Sequence, residues 1–324
     1  MQPIRFGILS TGTIAHKMAR TLPMVKEAQL LAVGSRTQAK ADAFAAEFGI
    51  PRAYGSTEAL LADPDIDAVY VASPHPQHKP MTLAAVAAGK HVLCEKPLTL
   101  TRADSEEVYA AAREKGVFLM EAMWTRFLPT ILAAKRWIAE GRIGELRYMT
   151  ASFGYDTPVT DPPDRILQAS EAGGALYDVG IYPLEAALDF FAPQRVTEIQ
   201  GMAALTPWGA DGVNAGLLRF EGGGIACFQS AVCCELRNDA ALYGSKGYIR
   251  LFPEFYAPET AELWIGGKRE ESVGIRIESG FEYEVQHMID CIRTGKRCSD
   301  RIPPADTYAC GDIFETLMNK GFRA

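Results

Sequence analysis

Three side chains in this sequence have the type and setting to move a proton or to hold a reacting oxygen: Lys96, Asp178 and Tyr182. Lys96 follows the apolar run His91-Val92-Leu93-Cys94 and sits between Glu95 and Pro97. An ammonium at a strand terminus can donate to a substrate oxygen, and burial or a second cation lowers its pKa. A surface lysine whose stem covers apolar groups would have the same neighbours in sequence. Asp178 and Tyr182 are four residues apart, so a continuous helix puts them on one face. A phenol ordinarily titrates at about pH 10, and base chemistry near neutrality needs a cation beside it, such as the Lys96 ammonium. A core tyrosine hydrogen-bonded to Asp178 is the alternative use of the same pair.

These groups need a partner molecule, and the start of the chain describes one. Arg5-Phe6-Gly7-Ile8-Leu9 reads as an apolar strand, Ser10-Thr11-Gly12 as a turn, and Thr13-Ile14-Ala15 as a helix start. Helix N-terminal amides carry partial positive charge and bind phosphate, and glycine lets the backbone approach closely. The three glycine places of the dinucleotide fingerprint fall on Ser10, Gly12 and Ala15, so the first glycine is missing and the third is the tolerated alanine. An ordinary strand-to-helix turn would fit the pattern too, but the end of the next strand favours the nucleotide. That second buried strand, Gln29 to Gly34, ends where an NAD enzyme usually places an acid for the ribose hydroxyls. Ser35, Arg36 and, one helical turn on, Lys40 stand there instead. A guanidinium donates bidentately to phosphate oxygens, so NADP is expected in preference to NAD.

The elements that must position these residues differ between the two halves. Through residue 122 short apolar strands alternate with alanine-rich helices: strand Ile66–Ala72, helix Met81–Ala88, strand His91–Cys94 and strand Val117–Ala122. Thr101 with Asp104 resembles a capping box that opens a helix through Lys115. Such alternation implies a parallel sheet covered on both faces, with ligands at the carboxyl ends of its strands. Ser10, Gly34, Ser73 and Glu95 lie at those ends. The remainder reads as helices Pro129–Glu140 and about Ala175–Phe191, accompanied by alternating strands. Those strands cover Leu146–Tyr155, Val196–Ala204, Val213–Phe220 and Ile225–Cys233, with shorter ones near 240–251 and 261–277. Gly-rich turns such as Glu221-Gly222-Gly223-Gly224 suggest an antiparallel sheet. A helix over Glu282–Arg293 and the tail 304–319 are expected to return to the first half. The fold class is therefore α/β: a Rossmann domain over 1–122, then an α+β domain over 123–324 with a large open, mostly antiparallel sheet.

Composition narrows the function. A chain of 324 residues is long enough for two cores, and a net charge of -7 argues against nucleic acid or an anionic membrane as partner. No apolar run approaches membrane-spanning length, and the N-terminus enters a strand without a secretory signal. The seven cysteines have no paired metal spacing and the five histidines no His-Glu-x-x-His arrangement. Reduced thiols in a cytoplasmic protein, with no metal, are the expectation.

Three segments carry a family resemblance. They are Gly89 to Pro97, Glu121-Ala122-Met123-Trp124-Thr125-Arg126-Phe127 and Asp178-Val179-Gly180-Ile181-Tyr182-Pro183. Essentially end to end, the chain resembles the Gfo/Idh/MocA oxidoreductases, and within them the dihydrodiol dehydrogenase branch. Many members end the third segment on histidine; tyrosine at 182 is the departure shared with that branch. The resemblance implies that Glu95 contacts the nicotinamide ribose and Lys96 the reacting oxygen. It also implies a cofactor-side loop of Ser73, Pro74, His75 and His78, with the proline against the nicotinamide ring. Trp124 and Arg126 would touch the nicotinamide end or the substrate, with Trp124, Arg147, Phe153, Asp178 and Tyr182 on the substrate side. The implied enzyme is an NADP-dependent dehydrogenase acting on a secondary alcohol of a small polyhydroxylated ring, a trans-dihydrodiol or an aldose such as a pentose. A keto-sugar reductase and a non-catalytic NADP-sensing regulator are the alternatives, and an intact Lys96, Asp178 and Tyr182 weighs against the sensor. The open sheet face, which needs cover, points to a homodimer or higher homo-oligomer.

Overall fold

Six short strands form a parallel sheet: β1 (Ile4–Leu9), β2 (Ala28–Gly34), β3 (Arg52–Tyr54), β4 (Ala68–Val71), β5 (His91–Glu95) and β6 (Leu119–Ala122). Their order is β3-β2-β1-β4-β5-β6, and the strand order reverses between β1 and β4. This is the doubly wound Rossmann order, whose ligand crevice lies at that reversal. The computed structural model describes residues 2–322. Helices α1 (Thr13–Thr21), α2 (Gln38–Phe48), α3 (Thr57–Leu61), α4 (His78–Ala87) and α5 (Arg102–Lys115) connect the strands. The residues of β4 are all buried, as a strand covered on both faces requires. Thr37, Ser56 and Thr101 each cap the next helix by accepting from a first-turn backbone N–H. The Asp104 carboxylate does not close a capping box; it pairs with Lys79 at 2.5 Å.

The second unit begins with α6 (Pro129–Ala139), β7 (Leu146–Gly154) and α7 (Ile181–Phe191). Seven more strands come after α7: β8 (Val196–Leu205), β9 (Asp211–Phe220), β10 (Ile225–Ala231), β11 (Ala240–Gly244), β12 (Gly247–Phe252), β13 (Thr260–Ile265) and β14 (Lys268–Gly274). With β7 they form an eight-stranded sheet in the order β14-β13-β12-β11-β7-β10-β9-β8, antiparallel except between β7 and β10. One face buries Met149, Leu218, Phe228, Leu242, Ile249 and Leu263, while Tyr148, Met202, Leu217 and Tyr243 are exposed.

The helix expected from Ala175 to Phe191 is not uniform. A π turn over Leu176–Gly180 precedes α7, which puts Asp178 in the wider turn and Tyr182 in the α-helix. The four-residue spacing aligns side chains only where α geometry is continuous, so it does not by itself place this pair on one face. The chain then returns through α8 (Phe281–Arg293) and α9 (Pro304–Thr316). Residues to Trp124 together with Ser279–Tyr308 make up the first unit, so α8 belongs to the Rossmann body. There α8 buries Phe281, Val285, Met288 and Ile289, and Gln286 donates to Glu27 at 2.7 Å. No helix among the described residues is long and apolar enough to cross a membrane.

Candidate active site

In the first unit, β1 runs into a turn at Ser10, whose φ of 101° lies in the region that favours glycine. The place of the missing fingerprint glycine thus keeps a glycine-like backbone, with a serine whose Oγ accepts from Gly12 N–H at 3.3 Å. Strained backbone of this kind clusters at ligand-binding turns. Gly12 caps α1 with no side-chain hydrogen bond, and the first turn has no acid. The amides at Thr13 and Ile14 therefore carry the positive end of the helix dipole without a carboxylate to neutralise it. Thr11 Oγ1 lies 3.4 Å from Ser35 Oγ, which joins the end of β2 to this turn. Arg36 and Lys40 are exposed beyond it, and the first turn of α2 also lacks an acid. Hydroxyls, a helix N-terminus and two cations form a donor set that fits the phosphates of a dinucleotide.

At the ends of β4 and β5 the backbone is fixed on every side of Lys96. Glu95 is buried and receives the Tyr70 hydroxyl on one oxygen and Lys96 N–H on the other, at 3.2 Å. Burial pushes the Glu95 carboxyl above its ordinary range, opposed by the charge of Lys96, the Tyr70 hydrogen bond and Lys17. Leu98 N–H donates to Glu121 at 2.8 Å, and Thr307 donates to the same carboxylate at 2.7 Å. The ring nitrogens of His78 lie 2.7 Å from Pro97 O and 2.7 Å from Ser73 O. His78 thus ties the β4 loop to the Lys96-Pro97 turn through the backbone. Both ring nitrogens face carbonyls, so bracing is a role of His78 beside the cofactor-side place expected of its loop. His75 is buried with its ring 5.7 Å from that of His78, and Pro74 is exposed. Ser73 Oγ is buried without a hydrogen-bond partner among the described residues, a polar group that a bound ligand would satisfy. Trp124 closes this unit, buried at 5.3 Å from the Phe281 ring, with the Lys17 ammonium 4.1 Å above each.

In the second unit Tyr182 stands among aromatic rings. Phe153 is 5.2 Å and Tyr256 5.8 Å from it, and Phe153 stacks on Tyr256 at 3.9 Å. Asp178 accepts a 2.6 Å hydrogen bond from Tyr155, whose phenol is pushed well up by burial and by that carboxylate. Asp211 fixes the start of the π turn: it accepts Leu176 N–H at 2.8 Å, and a side chain at Gly174 would lie 2.0 Å from it. Burial raises the Asp211 carboxyl to about 6.

Arg126, expected at the nicotinamide end or the substrate, and Arg147, expected at the substrate, have protein partners here. Arg126 is buried in an ion pair at 2.6 Å with Glu185 and 3.6 Å with Asp189, both on α7, so its guanidinium holds that helix. Arg147 is exposed at the start of β7 beside Glu145, six residues and thus about 20 Å along the strand from Phe153. Six further residues bear on these places without having been expected there: Tyr70, Glu121, Tyr155, Tyr256, Lys17 and Glu284. The period of two along the strand is a signal for Tyr155, which shares a face with Phe153; Tyr256 lies in a loop and has none. Apart from these groups, His287, Cys291 and Asp300 bring their ligand atoms within 4.8 Å of one another. Their bonds are internal: His287 meets Ser299 at 2.8 Å, and Asp300 pairs with Lys296 at 2.6 Å.

Comparison with known proteins agrees with this geometry. Residues 4–123 match the Gfo/Idh/MocA description "Oxidoreductase family, NAD-binding Rossmann fold", and residues 131–250 match the C-terminal domain of the same family. Trans-1,2-dihydrobenzene-1,2-diol dehydrogenase of Mus musculus is 36% identical over 322 residues, covering 96% of this chain and 95% of that protein. The Homo sapiens protein of that name is 35% identical, covering 97% and 96%. Among solved structures, a 3-ketoreductase from Actinomadura kijaniata in complex with NADP and TDP-benzene is 27% identical with a TM-score of 0.87, covering 99% of this chain and 98% of that one. An aldose-aldose oxidoreductase from Caulobacter crescentus, complexed with glycerol, is 26% identical with a TM-score of 0.87, covering 98% and 97%. With both domains matched and the length shared, the chain belongs to the Gfo/Idh/MocA family of oxidoreductases and is an NAD(P)-dependent dehydrogenase.

Proposed function

We propose that the protein is a cytoplasmic, homodimeric, NADP-dependent dehydrogenase. It acts on a secondary alcohol, or the matching carbonyl, of a small polyhydroxylated ring: a trans-dihydrodiol or an aldose such as a pentose. The observation that carries this reading is the immobilised Glu95-Lys96-Pro97 turn, in which Tyr70, His78 and Glu121 each hold one backbone or carboxylate group around the lysine. So much bracing fixes the backbone from which the lysine side chain extends. When bound, the nicotinamide supplies a hydride acceptor or donor. Lys96 donates to the substrate oxygen, and Tyr182 takes up or returns the hydroxyl proton. Tyr155 holds the Asp178 carboxylate, and Phe153 and Tyr256, both beside Tyr182, supply an apolar face against which a ring can lie.

Preference for NADP rests on Ser35, Arg36 and Lys40 in the absence of an acid there. Arg36→Ala should weaken NADP binding about 10- to 100-fold while leaving NAD unchanged, the scale of one charge-assisted hydrogen bond. An Arg36→Ala protein with its NADP preference intact would overturn the assignment. The substrate class is tested by a panel of trans-dihydrodiols, aldoses and keto sugars, with turnover read from nicotinamide absorbance. Turnover confined to keto sugars would select the reductase reading, which the ketoreductase neighbour supports.

A further inference from the structure

Beside the Glu95-Lys96 strand end lies a buried acid that the proposed chemistry does not use. Glu284, on α8 in the same unit, is fully buried, and neither carboxylate oxygen has a hydrogen-bond partner among the described residues. An unpartnered buried polar group is costly, so one kept in a native core needs a reason. Lys17 of α1, its ammonium 4.1 Å above both the Trp124 and Phe281 rings, acts on it as the opposing charge. Glu95 of β5 also bears on it, itself held by Tyr70 of β4 and Lys96 N–H, and Glu282 acts on Lys17 from the first turn of α8. Burial and the Glu95 charge push the Glu284 carboxyl well above the ordinary range, and Lys17 pulls it back. Two carboxyl groups that repel each other in a site of low dielectric resist ionising together.

We propose that Glu284 is a positioning residue that keeps a proton beside Glu95 and releases it when the oxidised nicotinamide cofactor binds. The inference rests on the proposed reading, in which Glu95 meets the nicotinamide ribose. The oxidised ring is cationic and the reduced ring neutral, so only the oxidised form favours two charged carboxylates. In the step, the O–H bond of the Glu284 carboxyl breaks, its electron pair stays on oxygen and the proton passes to solvent. A cationic ring with two carboxylates and a neutral ring with one then present Lys96 with the same summed charge in both halves of the reaction.

The test counts protons. The full-length protein is titrated with NADP and with NADPH (NAD and NADH if these bind more tightly) in weak buffer with an indicator dye, from about pH 6 to pH 9. Tryptophan fluorescence reports binding independently. The oxidised cofactor should release more protons than the reduced one, and Glu284→Gln, which preserves shape, should abolish the difference. A merely structural role would leave the count unchanged in that variant. Lys17→Met should move the release band to higher pH, because the cation favouring the carboxylates is gone. An unchanged difference in Glu284→Gln, or equal counts for both cofactors in the parent protein, would overturn the proposal. If circular dichroism shows Glu284→Gln unfolded, Lys17→Met decides, and an unmoved band refutes. Absence of saturable quenching by any of these cofactors sinks the reading of the site and this inference with it, and is seen before any proton is counted.

Discussion

A tyrosine in place of histidine makes position 182 the most diagnostic single residue. Its ring meets Phe153 and Tyr256, while a second phenol, Tyr155, is spent on Asp178. That division assigns the two phenols different work. Tyr155, pushed up by burial beside a carboxylate, stays protonated and donates. Tyr182 is the one proposed to exchange its proton with substrate. Tyr182→Phe removes one oxygen and little volume, so folding and cofactor binding should survive while turnover falls about 10²–10⁴-fold, the scale of a lost general acid or base. Tyr155→Phe should instead remove the Tyr155 hydrogen bond to Asp178 and act more mildly on turnover. Steady-state rates of the two variants on one active substrate, with cofactor affinity measured in parallel, check the assignment. Near-normal turnover in Tyr182→Phe would transfer the proton to Lys96.

The elements that carry these residues were legible to different degrees. The strand ends of the first sheet could be read because each is a short apolar run closed by a polar residue, and Lys96 and Ser10 inherit their places from that local pattern. Side-chain commitments could not be read, because the partners are remote in sequence. Arg126 looks like a ligand donor until Glu185 and Asp189, some sixty residues on, claim it. The π turn at Leu176–Gly180 was likewise invisible, since its support comes from Asp211, against which Gly174 packs with a φ of 111°. That support has a pH signature. The Asp211 carboxyl lies at about 6 in the folded protein against an ordinary 3.8, so its folded pKa is the higher one. The stability it contributes is then full below about pH 4 and is lost as pH rises through about 6. The loss has an upper scale of about 3 kcal/mol. Asp211→Asn has no such titration, so the stability of the variant relative to the parent should climb between about pH 4 and pH 7. Denaturant unfolding at several pH values measures it; a flat difference would mean that Asp211 is not buried as described.

At the scale of the whole molecule, the second sheet presents a face that one chain does not cover. Tyr148 of β7, Tyr243 of β11, Tyr248 of β12 and Trp264 of β13 form a row, with successive ring centroids 6.0, 6.0 and 5.8 Å apart. Leu217 of β9 and Met202 of β8 extend it across the sheet, 42% and 74% exposed. Cross-strand aromatic pairs stabilise the sheet by about 0.2–1 kcal/mol each, which accounts for their pairing but not for leaving their outer faces in water. Large apolar patches of this kind mark interaction surfaces, and a second copy of the same face is self-complementary under a two-fold axis. The expected state is therefore a homodimer joined sheet to sheet. Sedimentation velocity at micromolar concentration should give about twice the chain mass. Leu217→Glu combined with Tyr243→Glu should give a folded monomer, because like charges facing each other across a two-fold interface repel while each side chain remains hydrated in the separate chain. A parent protein that sediments as a monomer, or a doubly charged variant that still sediments as a dimer, would remove this face as the interface.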